Sequence, residues 1–223
     1  FGSDFQKENE HAEPGFYRTH LDRYDITAEV TATDRVGVHQ YTYASGGHAH
    51  VVLDLTYNIY HHPDKNVWTF VRVENDSTVV GYRQTTGWGR TRLVHFALRF
   101  DRPLLDYGYE RGQELAYNGF YRRFDEHHGF PEMAGRDLQA WFDFGTLHPG
   151  EALGIRVGLS GVSTAGALAN LEEETPAMNF ERGRAEADAA WERALSLVNM
   201  EPLRPEDATT FYTALYHSML SPV

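Results

Sequence analysis

The chain of 223 residues contains no cysteine. Disulfides, thiolate zinc sites and thiol catalysis are therefore excluded. The absence suits a cytoplasmic or a bacterial envelope protein, so the compartment stays open. No apolar run approaches the roughly 20 residues that cross a bilayer. Basic residues are few, 20 against 32 acidic ones, for a net charge of −12 and a pI near 5.4. Nucleic-acid binding needs a basic surface to neutralise phosphates, and this balance argues against it. It equally disfavours docking on anionic lipid. No nucleophile elbow, phosphate loop or dinucleotide fingerprint occurs. Internal repeats and low-complexity tracts are missing too. No secretory leader is visible, but the chain opens on Phe1 instead of Met, so loss of an upstream segment is expected.

Hydrophobic residues make up 41% of the chain, enough for one large all-β domain or two small domains. Most of the sequence reads in period two. Ile26, Ala28, Val30 and Ala32 alternate with Thr27, Glu29, Thr31 and Thr33, a half-buried strand. Asp34-Arg35 turns it into Val36–Tyr43, completing a hairpin. Gly46-Gly47 leads to a strand over Val51–Tyr57. Val67–Glu74 and Thr78–Gln84 flank the turn cluster Asn75-Asp76-Ser77. The strand Leu93–Phe100 stops at Asp101-Arg102-Pro103, because proline cannot donate to a ladder. Gly119–Gly135 reads as a long surface excursion. Leu138–Phe144 and Ile155–Gly161 return to strand patterns around His148-Pro149-Gly150. This spacing predicts an antiparallel β-sandwich.

The period then changes. Ala187, Trp191, Leu195 and Val198 share one helical stripe within Phe180–Val198, with Asn179 as N-cap. A second helix is expected over Pro205–Leu220, with Ala208, Phe211, Leu215 and Met219 on one face. The mainly β reading thus has two C-terminal helices: a sandwich over residues 1–178, a linker helix over 179–204 and a further helix from 205.

Few constellations carry chemistry. His48 and His50 lie on one side of an extended segment, with His61-His62 nearby. A zinc site needs three or four convergent ligands. Nothing in the sequence makes these four converge, so they are read as solvated turn histidines and no metal ligand is assigned. Asp125-Glu126-His127-His128 is read as a solvated loop. Trp88, between Gly87 and Gly89, sits where neighbouring side chains cannot easily cover it. An indole face stacks on the C–H face of a sugar and its N–H meets a hydroxyl. Trp88 is therefore the candidate carbohydrate-binding residue, against the plainer reading of a rim tryptophan closing the core. No catalytic residue is assigned.

Four stretches carry a family resemblance. They are Glu10–Tyr17 (EHAEPGFY), Ile26–His39 (ITAEVTATDRVGVH) followed by Tyr41-Thr42-Tyr43, Val157–Ser163 (VGLSGVS) continuing to Asn170-Leu171, and Phe211–His217 (FYTALYH). In order and spacing they resemble the N-terminal domain of glycoside hydrolase family 92, the calcium-dependent exo-α-mannosidases. Gly161 and Gln40 depart from the family's usual residues. The resemblance implies a sandwich followed by an α/α barrel, of which residues 205–223 are the first helix and the remainder lies beyond this chain. That barrel would hold the general acid, the general base and the calcium ligands. An inverting reaction needs two carboxyls about 6.5–9.5 Å apart, and calcium takes roughly six to eight oxygens. It further implies mannose-containing glycans as substrate and a periplasmic or secreted location. Without the barrel, the stripe on the last helix is expected to associate homotypically. The alternative is a non-catalytic carbohydrate-binding sandwich.

Overall fold

The computed structural model describes residues 2–57, 65–87, 89–111, 131–177, 179–201 and 204–220. A 3₁₀ turn over Lys7–Asn9 precedes the strands β1 (His11–Glu13), β2 (Phe16–Leu21), β3 (Ile26–Ala32), β4 (Val36–Tyr43) and β5 (Gly47–Asp54). They are followed by β6 (Asn66–Asn75), β7 (Thr78–Thr85), β8 (Arg92–Phe100) and β9 (Asp106–Arg111). The last three are β10 (Glu132–Gly135), β11 (Leu138–Leu147) and β12 (Ala152–Ser160). The helices α1 (Thr164–Glu174), α2 (Phe180–Leu195) and α3 (Pro205–Leu220) close the chain. A large sheet of nine strands runs β1-β2-β3-β4-β12-β8-β7-β6-β10, and a small sheet of three runs β5-β11-β9. Every described pairing is antiparallel.

The two sheets pack face to face, as the alternating sequence requires. Along β11, Leu138, Ala140, Phe142 and Phe144 are buried while Gln139, Trp141 and Asp143 point the other way. Phe100 of β8 meets Phe142 and Phe144 at ring distances of 5.5 and 4.9 Å. Val79, Leu98, Leu153 and Ile155 complete this inner core. The other face of the large sheet is apolar too. Phe16, Val36, Val38, Val80 and Ala97 form a second core with Ala167 and Leu171 of α1 and Phe180 of α2. Burial on both faces explains why β8 reads as a nearly unbroken apolar run through Phe96-Ala97-Leu98.

The antiparallel sandwich agrees with the sequence reading, and both expected helices form. Asn179 caps α2, its side chain accepting from the Arg182 amide at 2.9 Å. Strands β1 and β2 go beyond that reading, as do four further features. Helix α1 precedes the expected pair, so three helices follow the strands. It buries only Ala167, Asn170 and Leu171, positions of one helical face, but polar Asn170 interrupts the apolar stripe that would reveal it. The Asn170 amide donates to the Leu159 carbonyl, 2.7 Å away, which satisfies it under the helix. Strand β10 lies inside the stretch read as a surface excursion; its pairing partner β6 supplies the order its own composition lacks. Strand β9 pairs with β11. Strand β5 starts four residues earlier than expected, so His48 and His50 are strand residues and not turn residues. The expected loop at Asp125-Glu126-His127-His128 lies outside the described residues.

Helix α1 sits unusually close to β12. A Cβ on Gly158 would lie 2.4 Å from the Ala167 carbonyl oxygen and 2.8 Å from Leu171 Cγ. Only a glycine allows that approach. At the far end of α1, Glu174 fastens the helix to the β3–β4 turn. Its Oε2 accepts from the Thr33 hydroxyl at 2.5 Å and the Arg35 amide at 2.9 Å, and Oε1 accepts from the Arg35 Nε. Buried Arg156 of β12 donates to the carbonyl of Thr175, which ends α1. A cation there also suits the negative end of the helix dipole.

Helix α3 packs on α2. Trp191 and Tyr216 meet edge to face at 4.8 Å, and the Tyr212 hydroxyl donates to the Val198 carbonyl at 3.1 Å. These two tyrosines lie beside the expected stripe of Ala208, Phe211, Leu215 and Met219, whose members are half-buried.

Gly158→Val is expected to destabilise the fold by about 1–3 kcal/mol, because valine overpacks the α1 contact. Gly161→Ala, where no atom lies within 4 Å of the new Cβ, is expected to stay within about 0.5 kcal/mol. Urea unfolding of both variants checks this, and equal midpoints would remove the close contact as a constraint. Burial pushes the Glu174 carboxyl up, but its bonds from Thr33 and Arg35 and the Arg35 charge outweigh that and hold it below the ordinary glutamate value. A lowered folded pKa adds stability that is complete above the unfolded value and disappears as pH falls through the folded one. Glu174→Gln is therefore expected to cost about 1–2 kcal/mol at neutral pH and to flatten the acid limb of stability. Parallel acid limbs for parent and variant would contradict this.

Candidate functional site

The small sheet covers only part of the large one. Where it stops at β5, a groove of about 970 Å³ opens toward the ends of β2, β3 and β4. Its floor holds Leu21, Ile26 and Tyr41, all half-buried. Tyr24, at 44% exposure, stands on the β2–β3 turn. The opposite wall is strand β5 and the outer face of the small sheet.

Register orders that outer face. His50, Asp143 and Asp106 lie in one row across the three strands, Val52, Trp141 and Gly108 in the next, and Asp54, Gln139 and Glu110 in a third. Trp141 is half-buried at the centre, and its neighbour Gly108 has no side chain to crowd the indole. Aromatic surface between rows of hydrogen-bonding groups suits a ligand with apolar and hydroxylated sides, such as a sugar.

At the groove's edge a β-bulge sets the local geometry. Phe144 and Gly145 together oppose Ala49, because the β5–β11 register shifts by one between Asp143 and Thr146. Gly145 has φ +71°, a left-handed conformation that favours glycine. The bend brings His48 to Asp143, with Nε2 2.5 Å from Oδ2, while His50 Nδ1 lies 3.3 Å from the same oxygen. The Gly145 amide donates to Asp143 Oδ1 at 2.7 Å. Burial pushes the Asp143 carboxyl up, but the His48 bond, the Gly145 amide and the charge of both imidazoles hold it below the ordinary aspartate value. Burial raises the pKa of the Tyr43 phenol beside His50.

This convergence was not legible in the sequence. His48 and Asp143 are 95 residues apart, and the pairing of β5 with β11 alone joins them. Of the residues singled out from sequence, Trp88 lies outside the described residues, as do His61 and His62. On this outer face burial pushes the Asp54 carboxyl up, but bonds from Thr56 and Gln139 hold it below the ordinary aspartate value, and Asp143 is lowered as well. Asp101, raised by burial, sits at the end of β8 away from the groove.

Among the described residues, His48, His50 and Asp143 form the one group of three or more such side chains close enough to share a metal. With two nitrogens and one carboxylate, it does not fit calcium, which needs an oxygen cage.

Comparison with known proteins matches both halves of the chain. Residues 1–160 match the glycosyl hydrolase family 92 N-terminal domain, and residues 166–223 match the family's catalytic domain. A family GH92 α-mannosidase from Bacteroides thetaiotaomicron superposes with a TM-score of 0.83 at 29% identity, over 97% of this chain and 28% of that one. A family GH92 inverting mannosidase from the same organism superposes at 0.80 and 23% identity, over 97% of this chain and 27% of the other, which supports the fold alone. An uncharacterized secreted glycosidase from Arthroderma benhamiae is 39% identical over 71 residues, 30% of this chain and 9% of that protein. The chain thus spans under a third of the relatives it matches. Its sequence, from the first strands to the last helix, belongs to glycosyl hydrolase family 92.

Proposed function

We propose that this chain is the sandwich portion of an exo-acting, inverting α-mannosidase that removes terminal mannose from glycans. One observation carries the reading: the superposition on a GH92 α-mannosidase over 97% of the chain at 29% identity. The two consecutive family matches support it, since the second runs into the catalytic domain. In this reading the sandwich and its helices buttress a barrel and supply part of the active-site wall. The general acid and base come from the barrel. The lowered Asp54 and Asp143, and the position of Asp101 away from the groove, are consistent with that division. Calcium is likewise assigned to the barrel, because the metal-like cluster among the described residues has the wrong donors for it. Export to the periplasm or medium is part of the same proposal. It draws support from the relative described as secreted, and no helix among the described residues is long and apolar enough to cross a membrane.

The parent protein is expected to release mannose from α-mannosides with inversion at the anomeric carbon. Chelation should abolish turnover and calcium should restore it. Release of another sugar in preference to mannose would sink the substrate assignment, and retention would sink the mechanism. The 223-residue chain alone is expected to be inactive with or without calcium, and turnover by it that a substitution within it abolishes would refute the division of labour.

Trp88 remains the proposed sugar-stacking residue of this portion. Trp88→Ala in the parent is expected to lower kcat/KM on mannosides by roughly 10-fold or more, the equivalent of about 1.4 kcal/mol of lost transition-state binding. Unchanged kinetics would remove it from the substrate site.

A further inference from the structure

We propose that His48, His50 and Asp143 form a binding site for a divalent transition-metal ion, with zinc the best match. The site is separate from the calcium of the proposed activity and does not depend on that reading. Its ligand atoms all lie within 4.8 Å of one another. Zinc bonds of about 2.0–2.2 Å to nitrogen and oxygen place tetrahedral ligand atoms about 3.4 Å apart. His50 Nδ1 and Asp143 Oδ2, at 3.3 Å, already have that separation. His48 Nε2 is 2.5 Å from the same oxygen, so an entering ion replaces that hydrogen bond with an opening of about 1 Å.

The backbone holds the three residues in place. Period two puts His48 and His50 on one side of β5, with ring centroids 4.4 Å apart. Direct pairing sets Asp143 opposite His50, and the bulge at Phe144-Gly145 brings His48 to the same carboxylate. A regular ladder would pair His48 with residue 145 instead. An outer partner is present too. The Gly145 amide occupies Asp143 Oδ1 and leaves Oδ2 for the ion. Such supports fix ligand orientation and are commonly worth about 10–100-fold in affinity.

Access and selectivity also fit. The imidazoles are 51% and 53% exposed, whereas the carboxylate, at 17%, is largely screened. An ion can therefore arrive from solvent and keep a coordination position open to water. Two imidazoles and one carboxylate favour zinc and its neighbours in the transition series over calcium or magnesium, which require mainly oxygen donors. Bound there, the ion would staple edge strand β5 to β11 beside the groove.

Calorimetric titration of zinc into the chelator-treated chain tests the proposal. Saturable binding of one equivalent is expected, with His48→Gln and His50→Gln each weakening it by at least roughly 10-fold and the double variant abolishing it. His217→Gln, on the exposed face of α3, should leave it unchanged. Zinc should also shift the imidazole resonances of His48 and His50 in the unsubstituted chain, a readout that needs no variant to fold. Calcium in excess should not compete. Absence of saturable binding, parent-like affinity in the double variant, unmoved His48 and His50 resonances, or displacement by calcium would each overturn the assignment.

Discussion

Covering both faces of a nine-stranded sheet is the constraint on which the rest of this molecule depends. The strands β4, β8 and β7 near its centre carry apolar side chains on both sides, while β12 offers Gly158 and Arg156 to the helices. Each such side chain left in water forfeits about 1.5–3 kcal/mol, so neither face can stay bare. The small sheet covers one face and the helices α1 and α2 cover the other. Three close approaches serve the helix-side coverage: Gly158 beneath Ala167, Asn170 on the Leu159 carbonyl, and Phe180 against Phe16.

Three strands cannot cover nine, and the mismatch makes the groove. Where β5 ends the small sheet, the large sheet continues through β3 and β2, and Leu21, Ile26 and Tyr41 become a half-covered floor. An edge strand beside open apolar surface is a hazard for unwanted pairing. Here the edge strand β5 carries two imidazoles, and the bulge and carboxylate of β11 beside it add twist and polarity that discourage a second chain. The same features bring two histidines and an aspartate to one point. In a chain that belongs to glycosyl hydrolase family 92, the groove also lies on a portion whose relatives extend far beyond it.

The helices divide into two roles. Helix α1 is part of the sandwich: it buries small side chains on β12 and β8 and is fixed at its end by Glu174 and Arg156. Helix α2 buries Phe180, Gly183 and Ala187 on the sheet, and α3 packs outside it, with Trp191 and Tyr216 joining the two. Tyr212 and Tyr216, with a polar tip on an apolar ring, suit a surface of this intermediate kind better than a wholly aliphatic stripe.

The sequence by itself determined whatever is local and periodic. Alternation from Ile26 to Tyr43 specified the first hairpin, because side chains two apart share a face of a strand. The Asn179 cap and the Ala187–Trp191 spacing specified α2 for the same kind of reason, at period 3.6. The four family stretches were legible because they lie in order along the chain. Tertiary structure alone decided α1, since the polar Asn170 in its buried face is satisfied only by the Leu159 carbonyl and the close approach is open only over Gly158. It alone decided β9 and β10, which take their order from partners. It alone decided the His48–His50–Asp143 cluster, because pairing between strands 95 residues apart and a one-residue bulge have no period for a sequence to display.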